Sequence, residues 1–193
     1  MIYYTADMHF GHKNILRYDS RPWTDVQEME TDMILWWNRK VKPEDDVYII
    51  GDFCWEGARA WKRILTKLNG SKYLILGNHD QKAGREDVRA LFAERPTPYK
   101  EIRDGEYTVV MSHFPMISYN YDAYENTVML YGHVHGTLEF DAVMEAVKTM
   151  HRISRNSGFD YAGKLYNCWC GLYGWVPATL QEIMDNKYSH PAL

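Results

Sequence analysis

Five short runs constrain this chain most: Ile2 to Thr5 (IYYT), Val47 to Ile50 (VYII), Tyr73 to Leu76 (YLIL), Thr108 to Met111 (TVVM) and Val128 to Tyr131 (VMLY). In each the apolar residues are continuous instead of alternating, the pattern of strands buried on both faces. Amphipathic segments separate them. Val26 to Lys40 carries Met29, Met33, Trp36 or Trp37 and Lys40 near one face, with Thr24 in the N-cap position. The segment from Ala58 repeats this with Trp61, Ile64, Leu65 and Leu68 ahead of a Gly70 stop. Glu139 to Ser154 reads as a further helix, and the Gly- and aromatic-rich stretch after it as short strands and turns. Such alternation predicts an α/β domain with helices covering a central sheet. With 193 residues, 46% of them hydrophobic, and no repeat or Pro/Ser-rich linker, the chain reads as a single domain over 1–193.

Charge narrows the function classes. Lys plus Arg number 22 against 26 Asp plus Glu, a net charge of −4. That is not the footprint of a duplex-binding protein, so stable nucleic-acid binding is not expected. Three cysteines, Cys54, Cys168 and Cys170, make no disulfide framework, and C-x-C alone does not complete a thiolate metal site, so all three read as ordinary thiols. The start of the chain lacks the pattern of a signal peptide, and no apolar run approaches ~18 residues. A soluble, cytoplasmic protein without a membrane partner is expected.

Directly after each proposed strand stand polar residues of one chemical kind. After the first run come Asp7 and His9, after the second Asp52, after the third Asn78, His79 and Asp80, after the fourth His113, and after the fifth His133 and His135 in GHVHG. Asp and Asn often cap strands in turns, which would explain any one of these. All of them together point to a ligand site, because the carboxyl ends of strands in open α/β sheets are where ligands bind. The two histidines of GHVHG would point to opposite faces in a strand and could converge in a Gly-bounded turn. A mixed Asp, Asn and His set without Cys suits Mn, Fe, Zn or Ni. Seven candidate ligands, namely Asp7, His9, Asp52, Asn78, His113, His133 and His135, are too many for one tetrahedral ion and match two ions about 3.5–4 Å apart, the spacing that clamps both oxygens of an in-line displacement at phosphorus.

The ordered series D-x-H, GD, GNHD, SH and GHVH, spanning residues 7 to 135, resembles the calcineurin-like metallophosphoesterases. The resemblance implies two facing β-sheets flanked by helices, a four-layer αββα sandwich. It implies that Asp7, His9 and His135 bind one divalent metal ion, that Asn78, His113 and His133 bind the other, and that Asp52 bridges the two. His79 resembles the family's catalytic histidine, which stabilises the transition state or protonates the leaving oxygen. Water bridging the ions would be the nucleophile. Asp80 would orient His79 or close the turn. Where the protein phosphatases of the superfamily place a second Asp after the bridging one, GDFCW has Trp55, a departure from phosphoprotein specificity.

ADMHFGHKNILRYDSRPW resembles more narrowly the small bacterial and phage phosphoesterases of that superfamily. In it His12 and Asn14 are candidates to touch a substrate phosphate, and Arg17 and Arg21 to supply a phosphate fork or to stay solvated. Asn156 and Asp160 resemble the group's C-terminal segment, where the chain returns beside the site. The expected protein is a metal-dependent phosphoric ester hydrolase acting on a small phosphodiester or phosphomonoester, a nucleotide among the candidates. A small-substrate pocket walled by the Tyr119, Tyr121 and Tyr124 loop is expected, with packing or a homo-oligomer surface as the alternative role of that loop. The alternatives are a catalytically idle interaction scaffold and a nuclease; the first predicts missing ligands, the second a basic stripe or extra domains.

Overall fold

A computed structural model of the chain, described over residues 1–158 and 160–186, contains two β-sheets. Strands β1 (Ile2–Thr5), β2 (Asp46–Ile50) and β3 (Ser71–Ile75) form a parallel sheet in that order. Strands β4 (Tyr99–Asp104), β5 (Tyr107–Ser112), β6 (Thr127–Tyr131) and β7 (Leu165–Asn167) form the second, with β4 antiparallel to β5 and the other pairs parallel. Helices are α1 (Ile15–Tyr18), α2 (Val26–Lys40), α3 (Ala58–Leu65), α4 (Glu86–Arg89), α5 (Leu138–Ser157) and α6 (Leu180–Asp185).

The sheets pack face to face. Tyr4, Tyr48 and Ile50 of the first meet Val109, Met111 and Val128 of the second in one buried cluster. Alternation along each strand turns the intervening residues outward. Tyr3, Val47 and Ile49 pack beneath α2 and α3 through Met29, Met33, Trp37 and Trp61. Val110, Met129 and Leu165 pack beneath α5 through Val147. The layers are therefore helix, sheet, sheet, helix, the αββα sandwich that the family resemblance implies. A single central sheet, the simplest reading of the strand alternation, is corrected: the chain crosses to a second sheet between β3 and β4.

Local chemistry explains the helix ends. Asp25, not Thr24, caps α2, its side chain accepting from the backbone N–H groups of Gln27 and Glu28. Thr137 caps α5 directly after GHVHG, and Gly158 ends that helix in the left-handed conformation at φ 69°. After β7 the chain runs back along β1, where Ala6 donates to Cys168 and Tyr4 exchanges two backbone hydrogen bonds with Ala178. No helix among the described residues is long and apolar enough to cross a membrane.

Candidate metal centre

The carboxyl ends of β1, β2, β3, β5 and β6 meet at one rim and deliver Asp7 and His9, Asp52, Asn78 and His79, His113, and His133 and His135 in that order. Two triads result, Asp7–His9–His135 and Asp52–His113–His133, each with donor atoms within 4.8 Å of one another. Asn78 Oδ1 joins the second, 3.0 Å from His113 Nε2 and 3.1 Å from His133 Nδ1. Asp52 Oδ2 lies between the triads, 3.5 Å from His113 Nε2 and 3.6 Å from His9 Nε2. The two histidines of GHVHG both reach this rim, each in a different triad.

This convergence uses unusual backbone. Asp7, His9, Asp52, His133 and His135 all have positive φ, between 48° and 71°. Non-glycine residues enter the left-handed region at a cost of order 1–3 kcal/mol each, and such strain collects at functional sites. Close approach matters too. A Cβ on Gly51, φ +85°, would stand 2.1 Å from His113 Nδ1, and one on Gly132 would stand 2.7 Å from Asp7 Oδ2. Both positions require glycine for the carboxylate and imidazoles to come together.

The electrostatics match a cation site. Burial pushes the His9 imidazole down to about 3, leaving it neutral, and its Nε2 is buried with no hydrogen-bond partner. A buried polar atom without a partner is costly, and here it faces the Asp52 carboxylate across the gap between the triads. Burial works against charge on His113 as well, but Asp52 and Asp7 outweigh it and raise its pKa to about 9. Asp52 is desolvated too, yet the His113 interaction holds its carboxyl down at about 2. Hard oxygen and imidazole donors, one of them orphaned, fit a pair of divalent ions. The three cysteines are buried and free, and burial lifts Cys54 and Cys170 to about 12, so neutral thiols stand outside the donor set.

A buried outer network holds the first triad. His135 Nδ1 lies 2.6 Å from Asp19 Oδ1, whose other oxygen accepts from Arg21 at 2.8 and 3.0 Å. Arg21 also donates to the backbone carbonyls of Asp7 and Met8, at 2.9 and 2.8 Å. Its side chain is fully buried, so Arg21 is neither solvated nor a phosphate fork. Asn167 donates to the His135 carbonyl and the Trp169 ring stacks on His135, centroids 5.8 Å apart. The chain thus returns beside the site at 167–169, and the exposed Asn156 and Asp160 are not the returning residues. Asp80 closes its turn and does more: it accepts from Gly77, Asp52 and Phe53, with its oxygens on backbone N–H groups instead of on the His79 ring.

A cavity of about 440 Å³ opens over both triads, with Asp52, His79, His133 and His135 in its wall. His12 and Asn14 line it as well. Arg17 does not; it is exposed and its guanidinium lies over the Tyr18 ring. The Tyr-rich loop does not wall this cavity either. Tyr119 is buried and bonded to Lys164, while Tyr121 and Tyr124 line a separate hollow with Arg103. Asp19, Asn167 and Trp169 carry no signal in the sequence beyond their residue type, whereas Trp55 stands out there as a departure from motif.

Known proteins resemble this chain along the same lines. The profile of the calcineurin-like phosphoesterases matches residues 1–102. An uncharacterized protein of Methanocaldococcus jannaschii is 34% identical over 138 residues, 69% of each chain. The gene 66 protein of Mycobacterium phage L5 is 25% identical over 84% of this chain and 88% of its own. A crystal structure of a protein of unknown function from Aquifex aeolicus superposes with a TM-score of 0.68 at 27% identity, covering 95% of this chain and 97% of that one.

Proposed function

The chain belongs to the calcineurin-like phosphoesterase family, and we propose that it is a dimetal-dependent hydrolase of a small phosphodiester or phosphomonoester. The meeting of two Asp/His triads at one carboxylate, Asp52, beneath an open cavity carries this reading. Asp7, His9 and His135 would hold one ion, Asn78, His113 and His133 the other, and Asp52 both; Mn, Fe, Zn and Ni all suit these donors. Two such ions, when bound, supply Lewis-acid polarisation of the phosphoryl oxygens and a nucleophile at neutral pH.

The chain's own residues do the rest. His79 is part-exposed in the cavity wall, with Nε2 3.9 Å from Asp52 Oδ2 and its backbone N–H bonded to Asp52 Oδ1. From there it protonates the departing oxygen or stabilises charge on it. Metal analysis of purified protein, beside hydrolysis of bis-p-nitrophenyl and p-nitrophenyl phosphate with Mn, tests the proposal. About two metals per chain are expected, with turnover about a hundredfold or more lower in His79→Ala. Absence of both metal and turnover sinks it.

Asp19 orients His135 through the bond to Nδ1. Removal of such a partner costs about 10–100-fold in metal affinity. Asp19→Asn is therefore expected to weaken one of two Mn-binding steps by that factor in a titration and to leave the other near wild type. Two unchanged steps would show that Asp19 only fills space.

A further inference from the structure

Trp55 is 48% exposed, a large apolar surface for solvent to meet at the edge of a polar site. One face of its indole is covered by the His12 ring, stacked at 3.9 Å and 8°. Beside it lies a second recess of about 230 Å³, lined by Trp55, His79, Gln81 and Lys82. The 440 Å³ cavity shares Trp55 and His79 with this recess. The two hollows adjoin at those side chains, and the His79 ring, 4.5 Å from the indole, stands at the junction.

We propose that this is a two-lobed groove for a phosphodiester one of whose arms is a nucleoside, its base lying on Trp55 in the recess of Gln81 and Lys82. The inference rests on the phosphoesterase reading and narrows its substrate. A monoester has one arm and leaves a lobe empty, whereas a diester centred at His79 fills both. An indole offers a sequence-tolerant stacking platform for any base. The exposed Gln81 and Lys82 add N–H donors at the edge of the recess, which a heteroaromatic ring with acceptor atoms satisfies and a plain aryl ring does not. The larger lobe has neither Lys nor Arg among its lining residues, and its Asp19 is already paired with His135 and Arg21. Away from the metal donors only the Glu139 carboxylate brings charge, which favours an uncharged or cationic arm.

Analogues with a P–C bond in place of one ester test this by binding, with released alcohol followed in parallel so that only uncleaved ligand is counted. The methylphosphonate monoesters of adenosine, through its 5′ oxygen, and of methanol share the single negative charge of a diester and differ only in the arm. Calorimetry with Mn-loaded protein is expected to show the adenosine ester binding about 10–100-fold tighter. In Trp55→Ala that preference falls to within about threefold, and in Trp55→Phe most of it is retained. Equal affinities in the wild type overturn the inference and leave the hydrolase reading standing, as does a preference that survives Trp55→Ala, which would put the base in the other lobe. A protein that takes up no Mn and binds neither ester fails the hydrolase reading itself, and this inference falls with it.

Discussion

Asp52→Asn is expected to lower phosphoester hydrolysis about a thousandfold and to reduce metal content below two per chain, with the fold intact. Asp52 Oδ2 stands 3.5, 3.6 and 3.9 Å from Nε2 of His113, His9 and His79, while Oδ1 accepts the His79 backbone N–H at 2.9 Å. An amide keeps the shape and the Oδ1 bond. It replaces Oδ2 with an NH₂ group whose hydrogens point at the gathered donor atoms, and it removes a carboxylate that is ionised at neutral pH. Loss of several kcal/mol of charge stabilisation corresponds to about 10³ in rate. Turnover, elemental analysis and a melting curve on one preparation check the expectation. Wild-type turnover with two metals would remove Asp52 from the centre, and a melt lowered by about 10 °C would turn the effect into a folding defect.

How much of this was legible depends on whether a residue's role is local. The α2 helix spans Val26–Lys40 both in pattern and in structure, because Met29, Met33 and Trp37 repeat at helical spacing and bury one face. The inner strands were visible as continuous apolar runs, and the candidate ligands as the polar residues at the end of each run. Strand β4 was not visible: Tyr99–Asp104 is a half-buried edge strand with charged residues between apolar ones. Its one sharp signal was Gly105 in the two-residue Gly105-Glu106 turn into β5, at φ 58°. Asp19 and Arg21 were illegible for another reason. The partner of Asp19, His135, is 116 residues away, and Arg21 is buried by carbonyls that only the folded β1 end presents. A loop arginine otherwise reads as solvated. Trp55 was visible as a missing Asp, yet the recess beside it belongs to the turn after β3 and exists only once β2 and β3 lie side by side.

Asp80 carries the largest expected effect on stability. It is 2% exposed, and its carboxylate accepts from Gly77 at 2.8 Å, Asp52 at 2.9 Å and Phe53 at 3.0 Å, tying the loop after β2 to the loop after β3. Burial pushes this carboxyl up to about 6 while the three N–H groups work against the shift. In Asp80→Ala those N–H groups lose their acceptor inside the protein, at about 1–3 kcal/mol each before relaxation. A net loss of about 3–5 kcal/mol lowers Tm by about 10–15 °C in a chain of 193 residues. Asp80→Asn should rescue little, because its one oxygen serves one side and its NH₂ meets an N–H on the other. The melts belong on metal-free protein, so that loss of ions does not add to the shift. A fall under about 3 °C would mean that the loops hold without the carboxylate. The two aspartates then separate by readout: Asp52→Asn loses turnover before stability, and Asp80→Ala loses stability first. Turnover in Asp80→Ala falls only as far as the loops let Asp52 and His79 drift from the positions in which Oδ1 and N–H now meet.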